Sequence, residues 1–197
     1  TTPIADHLLA VLLALAKQLP FVLQSQRDGR WTQNVLVGDR LPWLLSGRTL
    51  GLIGVGTIGS AGAARAKAFG MRVVAVRRRS GAAVANVDEI LLLAELDTLL
   101  AQADVLVIAA PLTPDTLRLI GAAQLARMKK GAVLINVGRA KIIDEVALAD
   151  ALRSGHLGGA SLDVYHRDVK SAEICGSVSS GRPSRGSMVK TSVIVDE

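Results

Sequence analysis

A chain of 197 residues, 50% apolar but only 3% aromatic, is long enough to bury a sizeable core of Ala, Leu, Val and Gly in close helix-on-sheet packing. The formal charge of +6 comes from basic residues that form no helical stripe and have no aromatics between them, which argues against a nucleic-acid partner. The longest apolar run, Leu8 to Ala16, is too short for a bilayer and has no basic leader before it, and the single Cys175 allows no internal disulfide, so a cytoplasmic protein with no membrane partner is expected.

Residues 4–19 predict a helix that is apolar nearly all round (Ile4, Leu8, Leu9, Val11, Leu12, Leu13, Leu15, Leu19), ended by Pro20. With so little polar face, it must be buried on several sides and so is expected to pack on another domain or subunit. Residues 24–46 read as polar and irregular, with Trp31 and Trp43 as anchors over the core. From Gly47 the rhythm becomes β-α-β. Strands are predicted at Thr49–Ile53, Arg72–Val76, Glu89–Leu92, Asp104–Ala109, Ala132–Asn136 and Leu157–Val164. Helices are predicted after residue 57, at 95–102, at 121–129 and from the N-cap candidate Asp144 to Arg153. Residues 171–187 read as loop or disorder, and Val193-Ile194-Val195 as a final strand. The expected fold is α/β, a Rossmann-like doubly wound parallel sheet with an N-terminal helix and an irregular C-terminal tail. The expected divisions are 1–46, 47–165 and 166–197.

The most informative stretch is Gly51-Leu52-Ile53-Gly54-Val55-Gly56-Thr57-Ile58-Gly59, an apolar strand running into Gly-x-Gly-x-x-Gly and then a helix of small residues. Gly54 permits the tight turn, Gly56 lets the backbone approach a pyrophosphate, and Gly59 lets helix and strand pack closely. The first helical N–H groups, at Thr57, Ile58 and Gly59, then face the phosphates. In such a sheet, ligands sit beyond the C-terminal strand ends. Those ends supply Arg77 and Arg78, then Ala110 and Pro111, then Val137, Gly138 and Arg139, then Asp163, all expected to bind cofactor. An acid after the second strand would bond the ribose 2′-hydroxyl of NAD, whereas Arg77-Arg78-Arg79 suits a 2′-phosphate, so NADP is favoured over NAD. No metal site is expected.

These stretches resemble the D-isomer-specific 2-hydroxyacid dehydrogenases. The carrying residues are Gly51 to Gly59, Asp104 through Pro111-Leu112-Thr113-Pro114-Asp115-Thr116, Met128 to Ala132, and Ile135-Asn136-Val137-Gly138-Arg139-Ala140 through Ser161-Leu162-Asp163-Val164-Tyr165. The resemblance implies hydride transfer between a nicotinamide and a small 2-oxo or 2-hydroxy acid. It implies that Arg139 grips the substrate carboxylate, that Asp163 holds the nicotinamide carboxamide, and that Asp168, where Glu is usual, raises the basicity of a proton-exchanging histidine. It also implies that helix 4–19 is an inter-domain hinge helix lying in a homodimer interface.

The chain departs from the family pattern in three places. It begins at the hinge helix, without the substrate-side domain. It has no Thr-Pro-His triplet after a late strand, its histidines being His7, His156 and His166. And Ala140 replaces the usual glycine after the arginine. A truncated dehydrogenase with a frameshifted or misread serine-rich C-terminus is the expectation. A non-catalytic nucleotide-binding interaction module and a self-associating structural fragment are the alternatives.

Overall fold

The computed structural model describes residues 2–31 and 42–164, together with the backbone of 187–190. Seven strands form one parallel sheet: β1 (Thr49–Ile53), β2 (Arg72–Arg77), β3 (Glu89–Leu92), β4 (Val105–Ile108), β5 (Val133–Asn136), β6 (Gly159–Leu162) and β7 (Ser187–Lys190). Their spatial order is β3-β2-β1-β4-β5-β6-β7. The order reverses between β1 and β4, the switch point at which open α/β sheets bind ligands. The first six strands are those predicted. β7, which pairs Gly159 with Ser187 through Leu162 with Lys190, was not, and Val193-Ile194-Val195 lies outside the described residues.

The central strands β1, β2, β4 and β5 are mainly apolar and buried because both faces of the sheet are covered there. Along β4, Val105 and Val107 join a core with Leu8, Leu12 and Leu15 of α1 (Thr2–Ala16) and with Ala63 and Ala66 of α3 (Thr57–Ala68). Leu106 and Ile108 point the other way, into a core with Leu99 and Leu100 of α4 (Leu96–Gln102), Leu125 of α5 (Ala122–Arg127) and Leu148 of α6 (Glu145–Arg153). The period-two alternation of one strand thus feeds two separate helical layers. Gly51 in β1 is where α4 comes closest: a Cβ there would lie 2.9 Å from that of Ala103.

Three expectations near the N-terminus need correction. The single helix over 4–19 is two helices. Gln18 takes the left-handed conformation (φ 55°) and Pro20 sits in the first turn of α2 (Leu19–Arg27), where its missing N–H costs nothing. The two axes meet at 67°. Pro20 therefore starts a helix rather than ending one, and the stretch expected to be irregular from residue 24 is helical through Arg27. The main stripe of α1 packs, as expected, on residues beyond its own division: Leu8, Val11, Leu12, Leu15 and Ala16 share a core with Leu50 of β1 and with Ala63 and Ala66 of α3. Trp31 is 86% exposed and so is not an anchor over the core. Trp43 does anchor: it packs on the α1 side of the core, its N–H bonds the Ala16 carbonyl at 3.0 Å, and Arg48 lies over its ring. Among the described residues, no single helix is long and apolar enough to cross a membrane.

Candidate functional site

The β1–α3 turn is shaped by its glycines. Gly54 has φ +96°, and a Cβ on it would stand 3.0 Å from the Ala109 carbonyl oxygen and the Ala110 backbone beside it. A Cβ on Gly59 would lie 2.2 Å from the Gly54 carbonyl oxygen, so only glycine lets the helix return this close to the strand. Gly56, the N-cap of α3, has nothing within 4 Å of where a Cβ would be. Open space at this one position, between two packed ones, leaves the backbone of the turn accessible from outside. Ser60 donates its N–H to the Gly56 carbonyl at 2.9 Å, whereas the helix has no carbonyl for the N–H groups of Thr57, Ile58 and Gly59. The positive end of the helix dipole adds to the attraction for an anion.

Because all strands are parallel, every predicted strand-end residue lies on this same edge. Arg77 ends β2 half-buried, and its guanidinium NH groups donate to the carbonyls of Gly81 and Ala82, clamping the loop that follows. Arg78 is exposed and pairs with Asp115 at 3.8 Å. Ala110 and Pro111 follow β4 and begin a rigid turn. In it, the Thr116 hydroxyl donates to the Pro111 carbonyl at 2.8 Å and accepts from the Thr113 N–H at 2.8 Å.

After β5, Asn136 is 1% exposed and holds the next turn from both sides. Its Oδ1 accepts from the Gly138 N–H at 3.0 Å, and its Nδ2 donates to the Arg139 carbonyl at 3.1 Å. Val137 and Gly138 are buried, and Arg139 projects, exposed, at the mouth, with one NH donating to the Gly138 carbonyl at 2.9 Å. Ala140 opens a short 3-10 turn without a positive φ, so alanine fits where glycine was expected. Asp163 follows β6, half-buried, its N–H bonded to the Asn136 carbonyl at 3.0 Å.

Asp168 and His166 lie outside the described residues. His156 precedes β6 and so sits at the opposite sheet edge, with Nε2 3.0 Å from the Leu125 carbonyl oxygen. His7 is half-buried on α1. Asp144 is the helix cap that its position suggested, accepting from the N–H groups of Val146 and Ala147. Among the described residues, no group of three or more His, Cys, Asp or Glu could hold a metal. The spacing Asn-x-x-Arg marked Asn136 but not its two hydrogen bonds, and nothing in the sequence signalled that Asp115, in a Thr-x-x-Thr turn on the same edge, pairs with Arg78.

The family model described as D-isomer specific 2-hydroxyacid dehydrogenase, NAD binding domain, matches residues 9–175. The glycerate dehydrogenase of Methylorubrum extorquens is 38% identical over 169 residues, which cover 84% of this chain and 50% of that protein. A D-isomer-specific 2-hydroxyacid dehydrogenase from Xanthobacter autotrophicus, solved with NADPH and MES, superposes with a TM-score of 0.77 at 31% identity, covering 97% of this chain and 56% of that one. The D-lactate dehydrogenase of Aquifex aeolicus, solved with NAD and lactic acid, gives 0.80 at 27% identity, over 95% and 58% respectively. The chain spans about half the length of the glycerate dehydrogenase that it matches. With the glycine turn, the switch-point crevice and the Asn-x-x-Arg turn on one edge, the chain belongs to the D-isomer-specific 2-hydroxyacid dehydrogenase family and carries its NAD-binding domain.

Proposed function

We propose that this protein serves an NAD(P)-dependent oxidoreductase that interconverts a small 2-oxo acid and its D-2-hydroxy acid. The observation that carries this is the open Gly56 position at the start of α3, on the same sheet edge as the exposed guanidinium of Arg139. The bound nicotinamide supplies the hydride for reduction and accepts it in oxidation. The chain's own residues do the rest. The N-terminus of α3 holds the diphosphate, with Ala110, Pro111, Val137 and Gly138 lining the approach. Arg139, its turn pinned by Asn136, grips the acid's carboxylate and polarises the oxo oxygen. Asp163 bonds the carboxamide and so orients the ring. Asp168 keeps the role that the resemblance gives it, tuning a histidine that exchanges the proton. NADP is favoured on the strength of Arg78, which remains exposed at the end of β2 while Arg77 is engaged by its own loop. We place the protein in a reducing cytoplasm, on its single cysteine, and as a homodimer joined through α1.

The test has two stages. Calorimetric titration with NADPH and NADH should show binding, tighter for NADPH; no binding of either overturns the proposal. Absorbance of the nicotinamide is then followed with glyoxylate, hydroxypyruvate and pyruvate. Where turnover is found, Arg139→Gln should lower kcat/KM by at least about 30-fold, the cost of an unpaired carboxylate. Binding without turnover of any of these acids supports a nucleotide-binding module instead.

A further inference from the structure

The Arg78–Asp115 pair joins two loops that are not neighbours in the sheet. Arg78 follows β2 and Asp115 lies beyond β4, with β1 and its glycine turn between them. The pair therefore bridges the mouth of the switch-point crevice on the side where the residue after β2 meets the ribose. Its two members differ in freedom. Asp115 sits in the turn fixed by Thr113 and by Thr116, which is 9% exposed, whereas Arg78 is an exposed side chain on a loop. Arg77 is already donating to Ala82 and Gly81, and of the cations that follow it Arg78 is the one that pairs with Asp115. A 2′-phosphate arriving there would find Arg78 already paired and a fixed carboxylate behind it.

We propose that Asp115 is a specificity-determining residue that lowers affinity for 2′-phosphorylated nucleotides by holding Arg78 and repelling the phosphate. The inference rests on the proposed nucleotide site and gives the NADP preference a counterweight within the same crevice. The ion pair is solvent-exposed, 58% and 53% at its two side chains, so the effect is modest. Removing a carboxylate that opposes one phosphate should tighten NADPH binding about three- to fivefold, leave NADH within about twofold, and fade as salt screens the charges.

The experiment measures dissociation constants for NADPH and NADH by calorimetry on the wild type, Asp115→Asn and Arg78→Gln, at low and high salt, with 2′-AMP and 5′-AMP as fragment probes. Asp115→Asn should shift the NADPH:NADH ratio toward NADPH and tighten 2′-AMP but not 5′-AMP. Arg78→Gln should shift the ratio toward NADH. An unchanged ratio in Asp115→Asn, or equal tightening of both nucleotides, overturns the role of Asp115 even if the wild type prefers NADPH. A wild type that prefers NADH, with Asp115→Asn still shifting the ratio toward NADPH, overturns the preference and keeps Asp115. If neither nucleotide binds, both fall.

Discussion

Gly56 and Gly59 are three residues apart, yet a side chain at each would meet opposite surroundings. At Gly59 the new Cβ would collide with the Gly54 carbonyl oxygen at 2.2 Å, which only a backbone shift can relieve. At Gly56 the Cβ would enter empty space. The two positions therefore separate folding from binding. Gly56→Val should cost no more than about 1 kcal/mol of stability, as a poorer N-cap, and weaken nucleotide binding by about tenfold or more, because its bulk occupies the diphosphate's path. Gly59→Val should instead lower stability by roughly 1–3 kcal/mol, the usual cost of overpacking, as read by urea denaturation. Equal loss of stability in both variants would mean that the space at Gly56 is not a ligand cradle. Asn136 belongs to the same scale. A buried amide whose oxygen accepts from the Gly138 N–H and whose nitrogen donates to the Arg139 carbonyl fixes the backbone of the turn that carries Arg139.

At the scale of elements, side chains at the strand starts tie the layers together. The Asp88 carboxylate accepts from the Val73 N–H of β2 at 2.7 Å and from Lys67 of α3 at 2.9 Å. The Val73 N–H, then the Lys67 ammonium, hold the Asp88 carboxyl below its ordinary value. A carboxyl depressed in the folded state contributes stability above the unfolded value of about 3.9, and this is lost as pH falls through the lower folded value. Both partners are exposed, so the contribution stays under about 1 kcal/mol. Urea denaturation from neutral to strongly acid pH should show wild type above Asp88→Asn at pH 7, the gap closing below about pH 4; a constant gap would sink the assignment. The central strands β1, β2, β4 and β5 were legible because burial on both faces demands apolar runs, and α6 because Asp144 advertises its cap. The break between α1 and α2 was not. Apolar residues continue through Leu19, and a proline fits the end of one helix as well as the first turn of the next. The left-handed backbone of Gln18 decides between them, and no residue type announces it.

For the whole molecule, parallel strands bring every ligand-facing residue to one edge, so the glycine turn and Arg139 could be assigned to one crevice from chain order alone. The Arg77 clamp and the Arg78–Asp115 bridge were illegible, because they depend on how two loops curl and not on strand order. The apolar circumference of α1 called for burial against another domain or subunit, and its main stripe is buried on the elements that follow within the chain. What remains for a partner is smaller. Ile4, Leu9 and Leu13 are only half-buried on α1, and Leu19 and Leu23, one turn apart on α2, are 42% and 49% exposed. A second copy meeting the exposed side of α2 would cover Leu19 and Leu23. Sedimentation velocity across a concentration series should therefore find a dimer. Leu19→Glu with Leu23→Glu should weaken it at least about tenfold, since each buried leucine contributes roughly 1.5–3 kcal/mol. Both substitutions sit on solvent-facing positions, so circular dichroism and nucleotide affinity should hold steady while the dimer dissociates. A wild type that stays monomeric at every concentration removes α1 and α2 from any interface, and a double variant that still dimerises as tightly removes α2.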